Sequence, residues 1–463
     1  MKRKNGSYYL ILLLSCSFLQ GFAKVSLPAI IGSHMVLQQH SSVKIWGWAN
    51  PGEKVTVTTN WSTDTVSAIG ENTAKWSLIL KTPAAGGAFT ITIKGSNVLQ
   101  LDDVLIGEVW DCSGQSNMEM NYNWGIKEYT ADMENANNQK IRFFNMPRAT
   151  AAFPQDDTKG QWVVCSPDEM KQFSLVGYFF GQQLQKMLNE PIGLINTSWG
   201  GTPAEVWTPK EVVESNPVLA AGANRLKPNN GWPIAPGLTY NAMINPIKDY
   251  AVAGIIWYQG ESNVGNAGTY QLLFTNMIQS WRKEWNKDLP FYFVQLAPYS
   301  GYDSLGGALL REAQTKTLSL ANTGMVVTTD LVTDVKDIHP HNKKDVGLRL
   351  ANYALANTYG KKELAYKSPQ YKSMAIEKDK IRINFTDAAN GLMSKGNTVT
   401  DFYIAGADKI FMPAIAVIKE NTVLVSNKKI AHPTAVRFGF SSAAMPNLFN
   451  KEGLPVNLFR TEE

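Results

Sequence analysis

Ser116 stands where a serine nucleophile would have to be. It lies in the segment GEVWDCSGQSNM, residues 107–118, which follows an apolar run typical of a buried strand. A glycine beside a serine permits the tight strand-to-helix turn that lifts a hydroxyl into a cleft. The same pattern is also typical of a serine that only caps the next helix, and Ser113 offers the same hydroxyl. Ser116 is therefore a candidate nucleophile, and it would need a base.

His339 is the best-placed base in the sequence. Of the five histidines, His339 and His341 lie in the region where strands and helices alternate. Their loop, DIHPH at residues 337–341, follows a strand predicted over 325–327, so it lies at the carboxyl edge of the sheet. An aspartate beside a histidine can fix its tautomer and stabilise the imidazolium. Three aspartates are close in sequence: Asp330, Asp334 and Asp337. Such a loop can equally be an ordinary turn with a helix cap.

Two more polar segments follow predicted buried strands. Residues 196–205, NTSWGGTPAE, contain Gly200 and Gly201, whose backbone amides can approach a developing oxyanion. Residues 257–263, WYQGESN, place amides and a carboxylate where burial without a function would be costly. Each glycine-rich turn alone is more often structural. Together the four segments supply a nucleophile, a base, oxyanion donors and aromatic walls, which a serine acyl hydrolase requires.

The elements that must position these segments form a predicted α/β fold. Between residues 104 and 360, apolar strands alternate with helices of ~10–16 residues, which predicts βαβ units and a parallel sheet. Residues 24–103 contain short strands separated by turns, which predicts a small N-terminal β-sandwich. Strands return over residues 371–463 as a β-rich C-terminal region, which either stands alone or packs on the N-terminal one.

Composition excludes several classes of protein. The chain has 463 residues and a net charge of +5, to which the first residues Lys2, Arg3 and Lys4 contribute three charges, so no basic footprint for nucleic acid is present. The His-Glu-x-x-His, P-loop and dinucleotide-binding motifs are absent after the predicted strands, which argues against metalloprotease, NTPase and dinucleotide-dependent functions. Cys112 and Cys165 could form a disulfide or remain two buried thiols.

Residues 1–23 have the pattern of a secretory leader. The basic start MKRKNG precedes a short apolar stretch, and Gly21 and Ala23 allow cleavage before Lys24. We therefore expect export to a periplasmic or extracellular location. A rival cleavage site at Leu-Leu-Ser-Cys16 resembles a bacterial lipobox, which would give a lipid-anchored protein. No later run of ~18 apolar residues follows, so a transmembrane segment is not expected.

Four segments of the chain closely resemble the sialate O-acetylesterase family of the SGNH hydrolase superfamily. They are CSGQSNM at 112–118, SWGGTPAE at 198–205, WYQGESN at 257–263 and DIHP at 337–340. The similarity extends through residues 310–314 and 447–455, and so covers almost the whole mature chain. It implies a flavodoxin-like α/β/α domain with flanking β-sandwich regions. It also implies a serine esterase that removes acetyl groups from sugar hydroxyls without a metal or another cofactor.

The resemblance also assigns roles to single residues. Ser116 matches the family nucleophile, His339 the base and Asp337 the third member of the triad. The superfamily usually spaces the last pair as Asp-x-x-His, so Asp334, Asp330 and a Ser–His dyad stay open. An oxyanion hole would use the Ser116 amide with Gly200 or Gly201, and a side-chain amide from Gln259 or Asn263, of which Gln259 is favoured. The expected substrate-binding residues are Trp199, Trp257, Glu261 and Asn263.

Two other functions compete with sialate deacetylation. The same family architecture serves acetylesterases of xylan and xyloglucan, and an arginine in the cleft would favour the sialate carboxylate. Arg311 is a candidate for that arginine, although a structural role explains it equally well. The two β-rich flanks also suit a carbohydrate-binding protein without activity, but an intact Ser116 and His339 argue against this. The expected partner is an O-acetylated sugar or glycan, and the oligomeric state is not predicted.

Overall fold

The computed structural model describes residues 24–462, so the predicted leader and Cys16 lie outside the described residues. The first seven strands are β1 (Val36–Gln38), β2 (Ser42–Trp48), β3 (Lys54–Thr59), β4 (Thr65–Ile69), β5 (Lys75–Lys81), β6 (Gly86–Lys94) and β7 (Val98–Gly114). Strands β2 and β5 pair as one antiparallel layer, while β4, β3, β6, β7 and β1 form another. Strand β7 continues from this unit into the central sheet, so the predicted boundary at residue 103 falls inside a strand.

The α/β unit follows strand β7. Its elements are α1 (Ser116–Glu119), α2 (Thr130–Glu134), β8 (Asn138–Asn145), β9 (Trp162–Cys165), α3 (Pro167–Met170), α4 (Leu175–Leu188), β10 (Ile192–Ser198), α5 (Lys210–Glu214), α6 (Pro217–Ala223), β11 (Gly254–Tyr258), α7 (Ala267–Glu284), β12 (Phe291–Val294), α8 (Gly306–Thr317), β13 (Thr323–Val326) and α9 (Lys343–Asn357). Short 3-10 helices lie at Tyr122–Trp124, Lys127–Tyr129, Ala204–Trp207, Asn245–Ile247 and Glu261–Asn266, and a π-helix at Tyr240–Ile244.

The central sheet confirms the predicted α/β class. Its order is β13-β12-β11-β7-β10-β8-β9, and every neighbouring pair is parallel except β8 with β9. Without the edge strands β8 and β9, the order is that of a flavodoxin-like sheet, 2-1-3-4-5. In such sheets ligands bind beyond the carboxyl end of the first strand, where the chain changes direction. Here that position is the end of β7, which leads directly to Ser116.

Both faces of the central sheet are covered. Along β11, Ile255 and Trp257 belong to one hydrophobic core, and Ile256 and Tyr258 belong to another. This alternation follows from the two-residue period of a strand. Helices α4 and α9 contribute to the second core, whereas α7 and α8 contribute to the first. The strand ends that carry the polar segments are therefore fixed by packing from both sides.

The C-terminal region contains the remaining strands. They are β14 (Gln370–Glu377), β15 (Lys380–Thr386), β16 (Leu392–Ser394), β17 (Phe402–Ala405), β18 (Met412–Pro413), β19 (Ile415–Lys419), β20 (Thr422–Ser426), β21 (Ala435–Phe438), β22 (Leu448–Asn450) and β23 (Phe459–Arg460). These strands enclose a core of their own. The region packs on α8, where Arg460 pairs with Glu312, and on the end of β12, where Asn457 accepts a hydrogen bond from Gln295. Both of these partners belong to the α/β unit.

Two further expectations concern cysteines and membranes. Cys112 and Cys165 are both buried free thiols, so no disulfide joins them. Burial raises the pKa of the Cys165 thiol to about 12. Among residues 24–462, no helix has the length and apolar character needed to cross a membrane.

Candidate active site

The turn after β7 presents Ser116 to His339. Gly114 has a φ of 139°, and a Cβ there would lie 2.2 Å from the Tyr258 carbonyl oxygen, so only glycine fits beside β11. Ser116 then begins the short helix α1, and its Oγ lies 2.9 Å from His339 Nε2. Ser113 is fully buried, and its hydroxyl donates to the Thr197 carbonyl. The structure therefore brings Ser116, and not Ser113, to the histidine.

The surroundings of His339 favour its neutral form. Burial lowers the pKa of the imidazole, and the positive charge of Lys343 lowers it further. The ring of Trp124 meets the imidazole edge-on, with 5.9 Å between centroids. A neutral imidazole can accept the proton of a serine hydroxyl, so the pair has the protonation state that a nucleophile and its base require.

None of the three candidate aspartates bonds to the His339 ring in the structure. Asp337 Oδ1 accepts the backbone N–H of His339 at 2.8 Å, and its other oxygen lies 3.7 Å from His341 Nε2. Asp330 forms a bidentate ion pair with Arg349, and Asp334 Oδ1 accepts a hydrogen bond from the backbone N–H of Lys336. Only Asp337 therefore acts on His339, through the backbone and through its charge, which raises the pKa of the imidazole. A direct Asp337–imidazole bond, as a triad would have, is not formed.

The two candidate glycines differ in what their amides contact. The Gly200 amide donates to Glu119 Oε2 at 2.7 Å, so it is not available to an oxyanion. Gly201 has a φ of 80° and packs against the Trp232 ring. A Cβ built on Gly201 would lie 2.2 Å from that ring. Among the described residues, neither the Gly201 amide nor the Ser116 amide has a hydrogen-bond acceptor. The candidate oxyanion donors are thus Ser116 and Gly201, and Gly200 is corrected to a structural role.

The predicted side-chain amide donors, Gln259 and Asn263, already form hydrogen bonds with other residues of the protein. Gln259 Nε2 donates to Asn263 Oδ1 at 2.7 Å and to the Thr202 carbonyl, while Gln259 Oε1 accepts from Tyr270. Asn263 Nδ2 donates to Glu205 Oε2, a carboxylate whose pKa is raised by burial. Gln259 and Asn263 are both buried. The expectations that Gln259 completes the oxyanion hole and that Asn263 binds substrate are therefore corrected, because both amides hold neighbouring loops together.

The aromatic residues also divide into core and surface. Trp257 is fully buried among Trp207, Phe274 and Trp281, so it belongs to the core and cannot contact a sugar as expected. Trp199 is partly exposed next to Gly200, so its role in substrate binding stays a prediction. Trp124 and Trp232 were not predicted, because neither lies in one of the four segments that follow the predicted strands.

A buried polar network behind Ser116 was also not predicted. Asn117 is fully buried, and its Nδ2 donates to Glu261 Oε1 at 2.5 Å and to the Ile338 carbonyl at 3.1 Å. Its Oδ1 accepts from Lys343 Nζ at 2.5 Å. Burial raises the pKa of Glu261 and lowers that of Lys343 to about 7. Glu261, expected to bind substrate, instead helps to connect the turn at Ser116 to the histidine loop.

Comparisons with known proteins identify the family of this chain. The model of the family described as "Carbohydrate esterase, sialic acid-specific acetylesterase" matches residues 107–356, more than half of the chain. Sialate O-acetylesterases of Homo sapiens and Pongo abelii are each 31% identical to it over 397 residues, which is 77% of this chain and 75% of theirs.

A solved structure is similar over nearly the whole chain. The carbohydrate acetylesterase XAC1771 from Xanthomonas citri is 35% identical, with a TM-score of 0.86, and the match covers 95% of this chain and all of that one. The predicted family and enzyme class are thereby confirmed. The chain belongs to the carbohydrate esterase family of sialic acid-specific acetylesterases and is a carboxylic ester hydrolase.

Proposed function

We propose that this protein removes O-acetyl groups from sialates through an acetyl-enzyme intermediate on Ser116. The observation that carries the proposal is the 2.9 Å contact between Ser116 Oγ and His339 Nε2 at the carboxyl end of β7. The family membership supports an acetyl ester of a sialate as the substrate. A protein that only binds carbohydrate would not need a neutral imidazole on a serine hydroxyl.

The proposed reaction has two steps. His339 accepts the Ser116 proton while Oγ attacks the acetyl carbonyl carbon, and the oxyanion forms against the amides of Ser116 and Gly201. The C–O bond to the sugar then breaks, and the protonated His339 returns the proton to the leaving sugar oxygen. In the second step His339 activates a water molecule that hydrolyses the acetyl-enzyme, which releases acetate and restores Ser116.

We assign Asp337 as a positioning residue of a Ser–His dyad. Its carboxylate fixes the loop by accepting the His339 amide, and its negative charge partly offsets the effect of Lys343 on the imidazole. Asp334 and Asp330 have no role in this mechanism, because each carboxylate is used elsewhere.

We also propose that residues 1–23 are a cleaved leader and that the enzyme acts outside the cytoplasm. The pattern of basic, apolar and small residues supports a mature chain beginning near Lys24. N-terminal sequencing and intact mass of the native protein test this. A chain that begins at a diacylated Cys16 would replace the soluble exported form with a lipid-anchored one.

Acetate release from a panel of acetylated sugars tests the proposed function. The panel contains an O-acetylated sialate, acetylated xylan and acetylated xyloglucan, each at matched acetyl concentration. We expect the highest kcat/KM on the sialate. Faster release from xylan or xyloglucan would make the enzyme a hemicellulose acetylesterase. The similar protein from Xanthomonas citri is named only as a carbohydrate acetylesterase, and that name fits either substrate. No release from any of the three would reject the deacetylase function.

A further inference from the structure

Arg148 lies close to the nucleophile, in the loop after β8. Its Nε donates to Glu119 Oε1 at 2.6 Å, and Glu119 Oε2 accepts the Gly200 amide at 2.7 Å. A Cβ placed on Gly200 would lie 3.3 Å from Ser116 Cβ. The guanidinium is therefore separated from the nucleophile by only one carboxylate and one glycine.

The outer edge of this guanidinium is free. The Arg148 side chain is 48% exposed, whereas that of Glu119 is 13% exposed and is held by two donors. Within residues 24–462, Arg148 Nη1 and Nη2 make no hydrogen bond, and the contact with Glu119 is made through Nε. Because Glu119 fixes Nε, the fork of Nη1 and Nη2 is held in one orientation. Such a rigid planar fork matches the two oxygens of a carboxylate.

Two other cations were candidates for this role and cannot fill it. Arg311, which the sequence suggested, is fully buried and donates to the carbonyls of Ser441, Ser442 and Gly307. The Lys343 ammonium is buried behind the nucleophile and donates to Asn117. Arg148 differs from both because it is anchored on the site and still faces solvent.

We propose that Arg148 binds the carboxylate of an anionic O-acetylated sugar and so selects sialates over neutral acetylated sugars. This proposal rests on the deacetylase function proposed above. Glu119 balances the charge of Arg148 in the empty site, so selection comes from the geometry of the fork and not from an unpaired cation. Glu119 also links substrate recognition to the Gly200–Gly201 turn, which carries one of the oxyanion donors.

The test compares one sugar with and without its charge. Acetate release is measured on an O-acetylated sialate and on the carboxyl methyl ester of the same compound, with wild type, Arg148→Gln and Arg148→Lys. We expect the wild type to prefer the free carboxylate. Arg148→Gln should lower kcat/KM on the free acid by about 10- to 100-fold, mostly through KM, the usual size for a hydrogen-bonded charge pair. The loss on the methyl ester should be much smaller than the loss on the free acid, and Arg148→Lys should give an intermediate loss on the free acid.

Lys159→Gln is the matched control, since it removes one positive charge from an exposed residue of the same loop. It should leave kcat/KM unchanged on both substrates. Equal losses on both substrates in Arg148→Gln would overturn the proposal and leave Arg148 a structural support of Glu119. A wild type without preference for the free acid would also overturn it, even if no variant folds. Both results would leave the deacetylase function intact, whereas a wild type inactive on every acetylated sugar would reject that function itself.

Discussion

Replacing Asn117 with alanine should both destabilise the α/β unit and slow the reaction. The side chain is fully buried and makes one bond to a carboxylate, one to an ammonium and one to the Ile338 carbonyl. After the substitution, Lys343 Nζ has no hydrogen-bond acceptor among the described residues. Within residues 24–462, Glu261 also loses its only side-chain donor, and its Oε2 already has none.

The size of the effect follows from these contacts. Hydrogen bonds to charged groups contribute about 1.5–3 kcal/mol each, and removing one partner of a buried charged network costs about 3–5 kcal/mol. We therefore expect Asn117→Ala to lower the free energy of unfolding by about 3–5 kcal/mol. Since the Ile338 carbonyl precedes His339, the base should also move, and a displacement of ~1 Å is enough to reduce kcat about 100-fold.

Urea denaturation followed by tryptophan fluorescence, with kcat measured on a chromogenic acetyl ester, provides the assay. Asn123→Ala is the control, because this asparagine is exposed and its side chain makes no hydrogen bond among the described residues. It should change stability by no more than about 0.5 kcal/mol. An Asn117→Ala protein within about 1 kcal/mol of wild type, with kcat unchanged, would refute the buried network as the support of the histidine loop.

Two further predictions concern the base. Because burial and Lys343 lower the pKa of His339, and the neutral imidazole is the active form, kcat/KM should fall with decreasing pH only below ~6.5. Lys343, whose pKa is about 7, is protonated in that range, and its charge lowers the pKa of His339. Lys343→Met should therefore raise the pKa of His339 and move the acid limb of the pH profile to higher pH. An acid limb that stays in place would contradict this charge effect. Asp337→Asn keeps an oxygen that can accept the His339 amide, so kcat should fall by much less than the ~10⁴ seen when an aspartate bonded to the imidazole is changed. A full loss of that size would show that the carboxylate reaches the ring during turnover.

The sequence predicted the features that depend on hydrophobic patterning. Alternating apolar strands and helices predicted the α/β class, which the central sheet confirms, and parallel strands necessarily bring their carboxyl ends to one edge. Ser116 and His339 follow β7 and β13, so their location at the same edge of the sheet could be expected from topology, although β11 and β12 lie between the two strands. The domain boundaries stay predictions. The continuous strand β7 was not predicted, because its residues alternate between buried and exposed before residue 103 and are almost all buried after it, so the pattern suggested two separate strands.

The sequence could not say which polar groups contact each other at that edge. Gln259 and Asn263 can donate to an oxyanion or to one another, and the choice depends on loop conformations that no periodicity encodes. Lysine is rarely buried, so nothing marked Lys343 as part of the site, although it begins the helix after the histidine loop. Glu119 and Arg148 were missed for a related reason, since their ion pair joins the end of α1 to the loop after β8.

Hydrolysis of an acetylated sugar by Ser116→Ala tests the central claim most directly. The substitution removes only the hydroxyl that contacts His339, so circular dichroism should remain that of the wild type while kcat falls by ~10³–10⁶. Ser113→Ala, which removes the buried hydroxyl bonded to Thr197, should keep most of the activity. If Ser116→Ala retains activity and Ser113→Ala loses it, the nucleophile has been assigned to the wrong serine and the proposed mechanism is contradicted.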